Sequence, residues 1–175
     1  MAESQSLKRP RFFAGKLLTA ADLELEQQYF LDKFKRHNRS LHGFGIVSGL
    51  KVTTNAGQII VEPGLALDCE DNELVVSAAQ SIPFSAITAD CHTTYVNLRY
   101  AEENVDLVAA GANDTSNLVE SFELAFAQEN CNRGHRHVRA RWLACGKPHA
   151  LTIAKLKHSS QGWRVERGYR PPKTK

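Results

Sequence analysis

Hydrophobic and polar positions follow two different periods along the chain, and the change falls at Gly43. Before Gly43, apolar positions alternate at spacings of four and three residues, which places them on one face of a helix of about six turns. The positions on this face are Leu23, Gln27, Phe30, Phe34, His37 and Leu41. After Gly43 come short segments rich in Val and Ile, separated by glycines and turn residues. The pattern predicts a long N-terminal helix followed by a β-rich region.

Both ends of the predicted helix have suitable local chemistry. Thr19 is a good N-cap, and Asp22 stands three residues later, as in a capping box. Acidic residues in the first half and basic residues in the second half match the helix dipole. Because Gln27 and His37 make the apolar face partly polar, two interpretations stay open. The helix lies across a β-sheet with these two residues at its edge, or it forms a coiled-coil-like contact with copies of itself.

The region after the helix contains seven candidate strands: GIVSGLKVTT, QIIVEPGLALD, ELVVSA, TTYVNLRY, ESFELAFA, HALTIAKL and GWRVERG. Asn55-Ala56-Gly57 and Asp71-Asn72 have the residue types of hairpin turns that tolerate positive φ. No helical pattern intervenes between the segments. The predicted fold class is therefore α+β, mainly β, with an N-terminal arm and long helix followed by a compact antiparallel β-sandwich or barrel.

The same patterns predict how the chain is divided. A polar, Gly-containing stretch is interpreted as a long loop between two strands, since it lacks an apolar alternation. Pro171 and Pro172 favour an extended arm at the end of the chain. The predicted parts are an N-terminal arm (1–18), a helix (19–42), a β-rich domain (43–170) with its long loop (102–117), and a basic tail (171–175).

Composition limits the classes of function. With 175 residues, 42% of them hydrophobic and 23% charged, the chain can bury one core. It has no apolar run of membrane-spanning length, and MAESQSLKRP lacks the apolar middle region of a secretory signal, so we expect cytoplasmic synthesis and no membrane insertion. The net charge of +3 is too small to indicate nucleic acid as a partner. Solvent or an acidic partner subunit explains the clustered basic residues.

No motif predicts catalysis. Gly15-Lys16 lacks the remaining residues of a phosphate-binding loop, and the glycines from Gly43 to Gly49 form neither a nucleophile elbow nor a dinucleotide fingerprint. We therefore predict that the chain is not an enzyme. Glu70 and Glu102 are the only candidates for the carboxylate pair of a cell-wall glycan hydrolase, which is the less favoured alternative.

One segment is dense in metal-binding residue types. Thiolate and imidazole donors suit a tetrahedral zinc ion, and four or five of them would make a closed, structural site. Their spacing matches no standard zinc finger, so the alternative is a basic loop whose cysteines are buried or pair with each other. With zinc, the chain would be a small zinc-stabilised binding module. The candidate ligands are Cys131, His135, His137, Cys145 and His149.

The stretch RFFAGKLLTAADLELEQQYFLDKFKRHNRSLHGFGIVSGLKV resembles proteins of phage tails and extracellular contractile injection systems. The resemblance rests on an aromatic pair with glycine, Leu-Leu-Thr, Glu-Gln and Tyr, His-Asn-Arg, Leu-His-Gly and Gly-Leu. The residues are Phe12, Phe13, Gly15, Leu17, Leu18, Thr19, Asp22, Glu26, Gln27, Tyr29, His37, Asn38, Arg39, Leu41, His42, Gly43, Gly45, Gly49 and Leu50.

The resemblance implies a non-enzymatic structural or adaptor subunit near the baseplate or a tail appendage. It also implies incorporation into a virion or tail-like particle, with neighbouring subunits as partners in a homo-oligomer or with a baseplate protein. It supplies no catalytic residues. Aromatic residues contribute much of the binding energy of typical interfaces, so we predict aromatic contact anchors on the arm and helix. The alternative is that they fasten the helix to the sheet within one subunit. The predicted anchors are Phe12, Phe13, Tyr29, Phe30 and Phe34.

Overall fold

A computed structural model describes residues 6–87, 92–107, 115–131 and 150–174 of the chain. Helix α1 spans Ala20–His37 and continues into a π turn over Asn38–His42. Within the described residues, ten strands follow, with a short 3₁₀ turn at Phe84–Ala86. The strands are β1 Gly45–Gly49, β2 Val52–Asn55, β3 Gln58–Val61, β4 Gly64–Leu67, β5 Glu73–Val76, β6 Gln80–Pro83, β7 Thr93–Leu107, β8 Thr115–Ala127, β9 Leu151–Ser159 and β10 Gly162–Val165.

The strands form three antiparallel sheets around one core. Their orders are β1-β4-β5, β2-β3-β6 and β10-β9-β7-β8. Alternating side chains of all three sheets meet inside, and Ile59, Leu74 and Leu98 are each 0% exposed. We call these strands and their shared core the β-body. The predicted fold class, α+β and mainly β with a helix before antiparallel sheets, is confirmed.

The predicted number of strands was wrong, because two segments each form two strands. The first divides at Leu50, whose φ of 54° turns the chain from β1 into β2, a strand of a different sheet. The second divides at Pro63, between β3 and β4. Strand β6, with the sequence QSIP, was missed. Hydrophobic periodicity does not distinguish a straight strand from one that turns a corner between sheets.

The predicted loop 102–117 was too long at both ends. Strand β7 continues to Leu107 and β8 begins at Thr115, and the two strands pair up to the position Leu107↔Thr115. Glu102, Glu103 and Asn104 are exposed in this part of the ribbon. This part of the ribbon is polar and exposed, and because it lacks an apolar alternation the sequence predicted a loop. Residues 108–114 lie outside the described part of the chain.

Both predicted hairpin turns are confirmed. Ala56 and Gly57, with φ of 46° and 80°, connect β2 to β3 in the register Asn55↔Gln58. Asp71, with a φ of 68°, lies between β4 and β5. This second turn also receives the end of the helix, as described below.

The C-terminal tail is extended, as Pro171 and Pro172 predict, but it packs against β1 and does not form a free arm. The Ile46 N–H donates to the Pro172 carbonyl oxygen at 2.9 Å, and the Thr174 N–H donates to the Ile46 oxygen at 3.2 Å. A Cβ at Gly45 would lie 2.8 Å from backbone atoms of the tail, so this approach requires glycine. The tail therefore pairs with the edge of β1 that β4 does not occupy.

Candidate functional site: an exposed arm and helix

The start of α1 is fixed by the predicted capping box. The Asp22 N–H donates to Thr19 Oγ1 at 3.2 Å, and the Thr19 N–H donates to Asp22 Oδ2 at 3.2 Å. Lys16 Nζ donates to Asp22 Oδ1 at 2.6 Å, and the Lys16 N–H closes a turn on the Phe13 oxygen at 3.1 Å. These bonds hold the arm, with Phe12 and Phe13, against the first turn of the helix.

The capping residues make the helix start sensitive to pH. The pKa of Asp22 is lowered from its ordinary value, mainly by the hydrogen bond from Lys16 and then by those from Thr19. Because the pKa of Asp22 is lowered in the folded chain, ionised Asp22 stabilises the helix start. This stabilisation is fully present above the ordinary pKa and is lost as the pH falls through the lowered pKa.

We expect Asp22→Ala to fray the first turn of α1 and release the arm, because the Asp22 half of the capping box and the partner of Lys16 are both removed. Amide hydrogen exchange of the first turn should become faster, while thermal unfolding of the β-body stays unchanged. Asp32→Ala is the matched control, since Asp32 lies in mid-helix and accepts a hydrogen bond from exposed Gln28, away from the cap. Equal acceleration in both variants would contradict the role of the cap.

The other end of the helix is joined to the β-body at the β4–β5 turn. Asn38 is buried and its Nδ2 donates to the Asp71 carbonyl oxygen at 3.3 Å. Arg39 Nε donates to Asp71 Oδ2 at 2.7 Å, and Arg39 Nη2 donates to the same oxygen. The Asp71 side chain is only 6% exposed. Burial raises the pKa of Asp71, and Arg39 offsets part of this increase.

The turn that receives the helix is itself well ordered by Asp68. Asp68 is buried, and its Oδ1 accepts from the N–H groups of Glu70 at 2.8 Å and Asn72 at 2.9 Å. Asp68 Oδ2 accepts from Asn72 Nδ2 at 2.8 Å. Asp71 is thus presented to Arg39 by a turn with its own hydrogen bonds. We call the contacts among Asn38, Arg39 and Asp71 the joint.

Between the capped start and the joint, no residue of α1 is buried. Large apolar side chains are exposed on the arm, the helix and the π turn. These are Phe12, Phe13, Leu17, Leu18, Leu23, Phe30, Leu31, Phe34 and Leu41, with exposures from 47% for Phe30 to 83% for Leu17. We call them the arm–helix surface. Exposed apolar patches of this kind typically mark sites of protein interaction.

The interpretation that α1 lies across a sheet is wrong for the described chain, because a helix packed in that way would bury its apolar face. Phe12, Phe13, Phe30 and Phe34 are exposed, and Tyr29 is half-buried with its ring edge-on to Phe30 at 5.3 Å. The predicted anchors therefore lie along the arm and α1, and none of them is buried. Their contact with a neighbouring subunit stays a prediction.

The predicted zinc ligands are largely outside the described residues, which include Cys131 but not His135, His137, Cys145 or His149. The Cys131 N–H donates to Thr152 Oγ1 at 3.0 Å, and this buried hydroxyl donates to Asn97 Oδ1 at 2.6 Å. The candidate segment therefore begins from a fixed point on β9. In the described ranges, no group of three or more His, Cys, Asp or Glu side chains is placed to hold a metal ion. The zinc site stays a prediction.

Glu70 and Glu102, the candidate carboxylates of a hydrolase, line one surface depression of about 330 Å³. Glu102 is exposed and accepts from the Tyr100 hydroxyl at 2.8 Å. Burial raises the pKa of Tyr100, and the carboxylates of Glu102 and Glu120 raise it further. An exposed carboxylate lacks the apolar surroundings in which a glycosidase keeps its general acid. The depression therefore gives the hydrolase alternative no support.

The joint was not predicted from the sequence. Arg39 and Asp71 are 32 residues apart, and helical periodicity assigned Arg39 only to the basic end of α1. The turn at Asp71-Asn72 was recognised from its residue types, but nothing local indicates that it receives the helix. Charge complementarity between a helix end and a nearby turn is the only signal that the sequence contains.

The fold of the chain is similar to that of part of several baseplate proteins of a contractile secretion system. A chain of the TssK–TssF–TssG baseplate subcomplex of the type VI secretion system superposes with a TM-score of 0.56 at 12% identity, covering 95% of this chain and 62% of that chain. A chain of the type VI secretion baseplate complex superposes with a TM-score of 0.53 at 12% identity, covering 95% of this chain and 60% of that chain. The crystal structure of TssK superposes with a TM-score of 0.57 at 13% identity, covering 96% of this chain and 42% of that chain.

The chain thus spans about 40 to 60% of the length of these structures. No protein-family model matches the sequence, and no curated protein sequence matches it significantly. At this identity the likeness shows the fold. The similarity to tail-like contractile particles noted in the sequence is confirmed at that level. In the described part of the chain, no helix has the length and apolar character needed to cross a membrane.

Proposed function

We propose that the chain is a non-enzymatic structural or adaptor subunit of a phage-tail-like contractile particle, incorporated at or near the baseplate. The observation that supports this function best is the exposure of the arm–helix surface beside a β-body that buries its own core. Full burial of one Phe or Leu side chain contributes about 1.5 to 3 kcal/mol. Several such anchors are needed together to offset the loss of freedom on association.

The division of the molecule suits such a role. The β-body needs no contribution from α1 to complete its core, since the buried residues of the core cluster lie in or between the strands. The joint then sets the direction in which the helix leaves the β-body. The fold shared with type VI secretion baseplate proteins supports the same class of particle.

We expect Phe13→Asp to remove the chain from purified tail-like particles, because a charge replaces an aromatic anchor that is 66% exposed in the subunit. The measurement isolates particles from cells expressing the tagged chain and quantifies the chain in them by mass spectrometry. Immunoelectron microscopy should locate the wild-type chain at the baseplate end. Circular dichroism of the purified variant should retain the β signal.

Val75→Asp is the matched control, since Val75 is an apolar residue that is 55% exposed on β5, away from the arm. This variant should remain in particles at the wild-type amount. Absence of the wild-type chain from particles would contradict the proposed function. Loss of the β signal in Phe13→Asp would show that the arm belongs to the folded core.

A further inference from the structure

The exposed face of α1 has the spacing of a helix-to-helix contact. Leu23, Gln27, Phe30, Phe34 and His37 on α1, and then Leu41 in the π turn that continues it, follow one another at alternating intervals of four and three residues, which is the spacing of the a and d positions of a coiled coil. All six are exposed. A stripe this narrow fits a second helix better than the flat face of a sheet. We call these six positions the seam.

The seam is complementary to itself when it is reversed. Its centre lies between Phe30 and Phe34, and a and d positions face each other in an antiparallel pair. Reversal therefore sets Phe30 against Phe34 of a second copy, Gln27 against His37, and Leu23 against Leu41. Every apolar position then meets an apolar one, and the two polar positions meet as an amide and an imidazole that can share a hydrogen bond.

The charges along the helix favour the same direction. Apart from Asp22 and Arg39, which are paired within the subunit, its first half holds Glu24 and Glu26, and its second half holds Lys33, Lys35 and Arg36. An antiparallel pair places each acidic half beside a basic half. A parallel pair would place like charges together, with His37 facing its own equivalent next to the basic residues.

We propose that α1 pairs in an antiparallel arrangement with α1 of a second copy of this chain, through the seam. This inference rests on the proposed function, because it assigns one of the neighbours that the arm–helix surface contacts. It leaves Phe12 and Phe13 on the arm for a different neighbour in the particle.

The test uses two complementary variants of the full chain, Phe30→Asp and Phe34→Lys. Native mass spectrometry should show an even number of copies for the wild type. An antiparallel pair has two central contacts, each between position 30 of one copy and position 34 of the other. Each variant alone places a charged residue in both contacts, and we expect at least a hundredfold weaker self-association for each. In a one-to-one mixture, an antiparallel pair joins one copy of each variant. One central contact then sets the introduced aspartate against the introduced lysine, and the other sets the remaining Phe34 against the remaining Phe30. Association should return as a mixed complex.

A parallel seam sets each introduced charge against phenylalanine in the mixture, so failure to form the mixed complex would overturn the proposal. Circular dichroism of each variant shows that it is folded, and Val75→Asp should associate like the wild type. A wild-type chain that stays monomeric at high concentration would also overturn the antiparallel pair. If that monomer still enters particles and Phe13→Asp does not, the proposed function stands with a different neighbour on the helix.

Discussion

Replacing Gly49 with alanine is expected to lower the free energy of unfolding of the β-body by about 2 to 5 kcal/mol. A Cβ at this position would lie 2.0 Å from the carbonyl oxygen of Pro63, which accepts the Leu50 N–H at 3.1 Å. Gly49 also has a φ of 62°, a conformation that alanine rarely adopts. To make room for this Cβ, β1 and β4 would have to move apart. The expected loss is therefore a large part of the free energy of unfolding of an ordinary domain. Urea unfolding followed by circular dichroism measures it.

Gly57→Ala separates the two causes. Gly57 has a φ of 80°, but a Cβ there would meet nothing within 4 Å. This variant should therefore lose only the cost of the left-handed backbone, about 1 to 2 kcal/mol. If both variants lose the same amount, the contact between Gly49 and Pro63 contributes nothing, and the corner between β1 and β2 does not depend on close packing.

The corner at Gly49 also shows why the number of strands was not predictable. The segment GIVSGLKVTT is continuous in β propensity, and its glycines indicated only that the chain turns. Its two halves belong to different sheets because of partners met later, with β1 pairing β4 and β2 pairing β3. By contrast, the cap at Thr19 and the turn at Ala56-Gly57 depend on residues within four positions, and both were predicted correctly.

The candidate site was predictable only in part, for a similar reason. The spacing of the seam identified the apolar face of α1, but an amphipathic pattern does not state what covers that face. The sequence left a sheet and a second helix as alternatives, and only the position of α1 relative to the β-body distinguishes them. That position depends on Asn38, Arg39 and Asp71, whose contacts span more than thirty residues.

The joint gives the second large effect. Arg39→Ala is expected to lower the free energy of unfolding by about 2 kcal/mol at neutral pH, because it leaves the Asp71 carboxylate, 6% exposed, without its cationic partner. Asp71→Asn should cost less, since the buried charge is removed together with the ion pair and asparagine tolerates the positive φ. Chemical unfolding of the two variants tests whether Arg39→Ala loses more stability than Asp71→Asn. An exposed ion pair on the surface would not show this difference.

The pH dependence identifies the group responsible. Burial raises the pKa of Asp71, so the folded state holds its proton more readily than the unfolded state, and ionisation of Asp71 costs stability as the pH rises through the raised pKa. Removing Arg39 removes the interaction that offsets this cost. The difference in stability between Arg39→Ala and the wild type should therefore shrink as the pH falls through the raised pKa, where a neutral carboxyl needs no counterion.

The double variant Arg39→Ala with Asp71→Asn completes the cycle, and its stability relative to Asp71→Asn should not vary in this pH range. A pH dependence that persists in the double variant would assign the effect to another carboxylate. Because Arg39 supplies the ion pair of the joint and the core of the β-body lies in and between its strands, the Arg39→Ala chain should keep a folded β-body at neutral pH but hold α1 less firmly. Its self-association should then weaken although the seam itself is intact, which connects the joint to assembly.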